Sequence, residues 1–150
     1  KTAALIGCSL QMGSLIAGAS KEVSKSLFNF GIELGISFQI HDDLLDAFGS
    51  VETFGKQIGG DIHSQKKTLL WTHFSNHRPD ALKSILKSES KDKVQEILSA
   101  MESSGSRAYV EDQRKKHFDL AISSLHNIKN DNCDIKDLES LANWIFDREV

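Results

Sequence analysis

Proline is nearly missing: Pro79 is the only one in 150 residues. The ten glycines follow no period, so collagen-like and proline-rich architectures are excluded. Cysteine is scarce too. Cys8 and Cys133 lie far apart and show no metal-ligand spacing. Two reduced thiols in a reducing compartment are the expectation, with a long-range disulfide as the second reading. Basic charge is not in excess: 18 basic side chains against 21 acidic give a net charge of -3. That argues against a generic nucleic-acid binder, although a local basic patch stays compatible with it. No stretch sustains the apolar–polar alternation of a half-buried strand, so a sheet is not expected. Repeats, low-complexity tracts and linkers are also missing.

What is present is an ordinary globular composition, 39% hydrophobic and 26% charged. The length suits one domain with a sizeable core. The opening segment imitates a targeting signal. Lys1 precedes an uncharged run to Ser20, and Leu5-Ile6-Gly7-Cys8 imitates a lipoprotein cleavage box. The apolar stretch before Cys8 is too short for a signal core, and Ser9, Gln11, Gly13 and Ser14 interrupt the rest. As a membrane span it is marginal in length and too polar. The expectation is a buried helix whose small residues, Ala3, Gly7, Gly13 and Ala17, let neighbours approach closely. A helical run entered with no cap also predicts that residue 1 is not the natural start.

The remaining pattern reads as helical throughout, one all-α unit. Helices are expected from Thr2 to Ala17 and from about Lys21 to Phe48. In the second, Val23, Leu27, Phe30, Leu34, Phe38, Leu45 and Phe48 recur at spacings of three, four and seven. Gly49, Gly55, Gly59 and Gly60 mark a loop over residues 49–61. Further helices are expected over 64–76, 80–86 and 91–101, through Val110 to Leu125 after Gly105, and over 134–148. Asn130-Asp131-Asn132 reads as a turn.

Chemistry concentrates in Phe38-Gln39-Ile40-His41-Asp42-Asp43-Leu44-Leu45-Asp46. On a helix, Asp42 and Asp46 are one turn apart, Asp43 and Asp46 three residues apart, and Gln39 joins the same sector. Like charges at that spacing destabilise a helix unless bulk water or a cation relieves them. Carboxylates are hard ligands suited to Mg²⁺, which is commonly held by one or two of them plus substrate phosphates. A solvated acidic stripe is the plain alternative, but such a stripe seldom interrupts an otherwise apolar helix. Next comes Gly55-Lys56-Gln57-Ile58-Gly59-Gly60-Asp61-Ile62, then Lys66-Lys67-Thr68. A glycine loop carrying Lys56 and Lys66 suits an anion clamp facing a metal-held phosphate. It is not a Walker A loop, lacking the glycine-lysine-serine/threonine run.

Three ordered segments make this chain resemble the second half of the trans-isoprenyl diphosphate synthases, the polyprenyl synthetases. They are Lys1-Thr2-Ala3-Ala4-Leu5, Gly35 to Asp46, and Gly55-Lys56-x-x-Gly59-x-Asp61 with Lys66-x-Thr68. The resemblance spans residues 1–68, with a fainter likeness in Leu141 to Arg148. It implies an all-α helical bundle of the isoprenoid synthase type, about half of it present, as the C-terminal portion of a single domain. It implies a cytoplasmic homodimer that condenses an allylic diphosphate with isopentenyl diphosphate using Mg²⁺. Carried over by position, Asp42, Asp43 and Asp46 would be metal ligands, Asp42 most directly. Lys1, Lys56 and Lys66 would hold the allylic diphosphate. Thr2 and Gln39 would stabilise the ionising carbon, with Lys1 beside them as a catalytic residue, and Phe38 would line the isopentenyl site.

The first aspartate-rich motif of that family, and the arginines after it, are absent from this sequence. The chain is therefore expected to bind metal and diphosphate weakly by itself and not to turn over. Phe48-Gly49 and Phe54-Gly55-Lys56 point to a short product, farnesyl or geranylgeranyl. Two other readings stay open: a non-catalytic partner subunit, and a class I terpene cyclase. The intact aspartates and lysines speak against the first, and the glycine-lysine loop against the second. No protein nucleophile is required, so His41 reads as a neighbour of the acidic face. His63, His73, His77, His117 and His126 show no evident ligand pairing.

Overall fold

The computed structural model describes residues 1–49, 59–128 and 133–148. These residues form eight helices: α1 (Thr2–Ile16), α2 (Lys21–Phe48), α3 (Gly60–His63), α4 (Leu69–His77), α5 (Pro79–Lys87), α6 (Lys93–Ser103), α7 (Ser106–His126) and α8 (Lys136–Asp147). No strand occurs among the described residues. The all-α reading holds, and α2 has the bounds that its periodicity predicts. The turn expected at 130–132 and the loop over 50–58 lie outside the described residues.

The chain separates into two compact units. The first comprises Lys1–Gln39 and Gln113–Glu149. Its core is one apolar cluster: Val23, Phe30 and Leu34 from α2, Ala121 and Leu125 from α7, Ala142 from α8, and Ile128 and Ile135. Leu27, Phe118 and Ile145 pack against it. The spacing of Val23, Leu27, Phe30 and Leu34 puts these side chains on one face of α2, which is why that face is buried. Phe118 stacks on Phe146 at 4.2 Å between ring centroids, and the Arg114 guanidinium lies 4.3 Å above Phe146 while donating to its carbonyl oxygen. His117 Nδ1 and Glu33 Oε2, 2.6 Å apart, tie α7 to α2.

Helix α1 corrects the expectation of burial. Only Gly7 and Ser14 are buried in it, and Leu5, Met12, Leu15 and Ile16 are exposed, Ile16 by 88%. The segment is apolar all round, but its own unit covers one face only. On that face the small residues act as expected at two of four positions. A Cβ on Gly31 would come 2.7 Å from Gly7 Cα, and one on Gly35 would come 2.5 Å from Ala3 Cα. The helices run antiparallel there, so 3 meets 35 and 7 meets 31. Gly13 has open space around it and Ala17 is exposed, so neither supports a close approach.

The second unit comprises Ile40–Asp112. Phe74, Met101 and Val110 are its most deeply buried large side chains, joined by Leu70, Leu82, Ile97 and Leu98. In this part of α2 the buried stripe is Ile40, Leu44 and Ala47, whereas Leu45 and Phe48, like Phe38 at the end of the first unit's share of the helix, are only half-buried. The stripe follows i, i+4, i+7, one helical face rotated from the one that the phenylalanines suggested. Helices α4 and α5 begin later and earlier, respectively, than their patterns predict. Thr68 caps α4, its Oγ1 accepting from Trp71 N–H at 3.1 Å, so α4 starts at Leu69. Pro79 opens α5, where its missing N–H costs nothing. Gly60–His63, read as loop, is a single helical turn.

Candidate functional site

The acidic helix turn and the lysine that follows it meet in the second unit. Asp46 serves the backbone: its carbonyl oxygen accepts from Gly59 N–H at 2.7 Å, and its Oδ2 accepts from Asp61 N–H at 2.9 Å. A carboxylate at the first turn of α3 satisfies a donor that has no partner inside the helix. The tight join requires Gly59, whose φ is +77° and whose Cβ would strike Val94 Cγ1 at 2.5 Å. Gln65 then adopts a left-handed conformation with φ 51°, and Lys66 N–H bonds back to the Asp61 carbonyl at 2.8 Å. That turn brings the Lys66 ammonium to 2.6 Å from Asp61 Oδ2 and 3.3 Å from Asp43 Oδ1. The hydrogen bond to Asp61 holds the Lys66 pKa above its usual range, partial burial opposes it, and the Asp43 charge adds to it.

Asp42, Asp43 and Asp46 are all half-buried on α2. They are not gathered into a three-carboxylate cluster: among the described residues no group of three His, Cys, Asp or Glu side chains could hold a metal ion. Asp46 spends one oxygen on the Asp61 amide instead. The donor chemistry nonetheless fits magnesium. Asp43 and Asp61 already converge on one positive charge, the Lys66 ammonium, and Mg²⁺ needs only one or two carboxylates when water and phosphate complete its shell. Asp61 is the residue that sequence reasoning left without a role. The signal was there, in its place one residue past Gly60 at the start of a helical turn.

The first unit holds the other predicted residues. Thr2 Oγ1 donates to Gln39 Oε1 at 3.3 Å, so the structure brings this pair together across 37 positions of sequence. The pairing continues the contact of Ala3 with Gly35, since Gln39 is one turn further along α2. Lys1 is exposed and precedes α1, its carbonyl accepting from Leu5 N–H at 3.1 Å. Phe38 is half-buried, with the Arg148 guanidinium 5.1 Å from its ring centroid. Lys56 lies outside the described residues. Cys8 is exposed, Cys133 is half-buried, and neither is in a disulfide. A groove of about 790 Å³ opens on Gly59, Ile62, Trp71, Lys91, Lys93 and Leu98 of the second unit. None of the aspartates on α2 lines it.

Residues 1–103 match the model of the polyprenyl synthetase family. The chain belongs to that family. A geranylgeranyl diphosphate synthase of Saccharolobus solfataricus is 38% identical over 154 residues, covering 99% of this chain and 46% of that protein. A (2E,6E)-farnesyl diphosphate synthase of Mycobacterium tuberculosis is 30% identical over 159 residues, covering 100% of this chain and 44% of that protein. The crystal structure of a geranylgeranyl pyrophosphate synthetase from Pyrococcus horikoshii superposes with a TM-score of 0.85 at 31% identity, over 99% of this chain and 46% of that one. This polyprenyl synthetase chain thus spans about half the length of the relatives it matches. The matches give the extent and carry nothing in support of the narrower expectation that it is the C-terminal half. Among the described residues no helix is long and apolar enough to cross a membrane.

Proposed function

We propose that this polyprenyl synthetase chain is part of a trans-prenyltransferase that joins an allylic diphosphate to isopentenyl diphosphate. The family match over residues 1–103, which takes in the aspartates of α2, Asp61 and Lys66, carries the reading. The allylic diphosphate ionises to a carbocation, the double bond of isopentenyl diphosphate attacks it, and a proton is lost to the released pyrophosphate. Diphosphate leaves poorly while its charge is unbalanced, so the first need is positive charge at its oxygens. Bound magnesium would supply much of that charge. Asp42, Asp43 and Asp46 would hold it, not as one closed cluster but with water and phosphate completing the shell, Asp46 through the oxygen that the Asp61 amide does not use and Asp61 beside Asp43.

Lys66, with Lys1 and Lys56, would bind the diphosphate oxygens. The Lys66 ammonium exchanges its two carboxylate partners for phosphate when the substrate arrives. Thr2 and Gln39 present a hydroxyl and an amide oxygen to the electron-poor carbon, and Phe38 borders the isopentenyl unit. No protein nucleophile enters, and a dry apolar surround keeps water from capturing the cation. The product is short, farnesyl or geranylgeranyl, as the Saccharolobus and Mycobacterium relatives are named for. The working protein is a cytoplasmic homodimer.

The test uses a full-length protein containing this chain, magnesium, isopentenyl diphosphate and a short allylic primer, with products separated by chromatography. Asp42→Ala should cut turnover by orders of magnitude with helicity intact; turnover equal to the parent's would overturn the assignment. Asp46→Asn separates the two uses of that side chain. The amide oxygen still accepts from Asp61 N–H, so stability holds, while turnover at limiting magnesium falls. Asp46→Ala should lose both.

A further inference from the structure

We infer, resting on the function just proposed, that the Lys66 ammonium is a built-in stand-in for the metal: in the substrate-free chain it occupies the cation seat between Asp43 and Asp61 and gives that seat up when it gains a phosphate. Its nitrogen lies 2.6 Å from Asp61 Oδ2 and 3.3 Å from Asp43 Oδ1. Two carboxylate oxygens on different helices, α2 and α3, thus converge on one point that already holds a positive charge. The Lys66 side chain is 52% exposed, against 15% for Asp43 and 24% for Asp61. The ammonium reaches in from the solvent side, over carboxylates that have given up much of their water. Carboxylates so placed need a cation beside them.

Backbone fixes the seat, and only the Lys66 side chain has to leave it. Lys66 N–H donates to the Asp61 carbonyl at 2.8 Å, and the Lys66 carbonyl accepts from Thr68 N–H at 2.8 Å. Gln65, with φ 51°, sets the turn between them. Asp61 is held from the other side, its N–H donating to Asp46 Oδ2 at 2.9 Å. Beyond these anchors Lys66 is a flexible stem ending in a compact charge, able to swing from two carboxylates to a phosphate.

An ammonium and a divalent cation repel one another and compete for the same oxygens. Lys66 must therefore vacate the seat before magnesium is held there. With no phosphate present it moves into water and loses both ion pairs. With diphosphate present it regains an anionic partner. Lys66 thereby couples the two ligands, each favouring the other by the same factor, as linkage requires. This coupling belongs to the chain and adds to any direct contact between metal and phosphate.

The experiment titrates the whole chain with Mg²⁺ alone and follows the Asp61 amide and the Lys66 ammonium by NMR. In the parent, binding should be weak, and the Lys66 signal should shift in step with the Asp61 amide. Lys66→Gln should tighten Mg²⁺ binding by about three- to tenfold, the scale of two exposed ion pairs that no longer have to break. Lys67→Gln removes an equal charge at the neighbouring position and should change it by less than about twofold. The preference for preformed magnesium diphosphate over Mg²⁺ alone should narrow in Lys66→Gln. Circular dichroism checks the fold of each variant. Equal tightening in the two lysine variants, none in either, or an unchanged preference would overturn the inference alone. Asp43→Asn tests the metal reading beneath it and should weaken Mg²⁺ binding; no effect there would overturn both.

Discussion

Two glycine-to-alanine substitutions in the first unit should move stability in opposite directions, because one glycine is a point of contact between helices and the other is not. Gly35→Ala puts a methyl carbon 2.5 Å from Ala3 Cα and 3.0 Å from Ala3 Cβ. Carbon atoms rest at about 3.5–4.0 Å, so α1 must retreat by roughly 1 Å. The nearest atom is backbone, so no rotamer change relieves it. Overpacking of this kind costs about 1–3 kcal/mol. Alanine returns about 0.8–1.0 kcal/mol through helix propensity. The net is about 1 kcal/mol of destabilisation. For a chain of this size that lowers the midpoint by roughly 2–4 °C. Gly13→Ala gains the same propensity with nothing within 4 Å to resist it, so it should stabilise by about 0.5–1 kcal/mol. Thermal unfolding followed at 222 nm, with urea titration as a check, reads both. The gap between the variants should be near 2 kcal/mol. If Gly35→Ala were as stabilising as Gly13→Ala, the helix-to-helix contact would not exist as described. Retreat of α1 would also lengthen the 3.3 Å contact of Thr2 with Gln39, so in a full-length protein Gly35→Ala should lower turnover more than stability alone explains.

Thr68→Ala removes the hydroxyl that caps α4 and should cost about 1 kcal/mol by urea denaturation; Thr68→Ser should restore most of it, and equal losses in both would reject the cap. Burial, with His77 adding to it, holds the His73 pKa below its usual 6.5. The unfolded chain then binds a proton more readily than the folded one. The His73 contribution is neutral above pH 6.5, and stability declines as pH falls below it until the lower folded pKa is passed. Stability measured from pH 8 to 5 should drop less in His73→Gln than in the parent, and parallel curves would count against this origin.

Much of the helix plan was legible because it rests on local spacing. Val23, Leu27, Phe30 and Leu34 announce one face of α2, and the structure buries that face. The break before α4 was not legible from apolar pattern, since the segment from Ser64 to Thr68 carries no proline and one unremarkable turn. Thr68 and the left-handed Gln65 decide it through hydrogen bonds rather than hydrophobicity. In the candidate site, spacing put Asp42, Asp43 and Asp46 on one sector but could not assign each oxygen. Asp46 is drawn to an amide 15 residues away, a partner that exists only once Gly59 has made its turn.

By itself the sequence determined the all-helical class, the family, and the residues available for chemistry, because those depend on periodicity and on ordered motifs along the chain. Tertiary structure alone decided which groups meet. It paired Thr2 with Gln39, made Lys66 a bridge between Asp43 and Asp61, left one face of α1 open, and stacked His73 on His77. The reason is physical. Helical periodicity acts over a single turn, whereas a hydrogen bond forms only where distant segments bring donor and acceptor within about 3 Å.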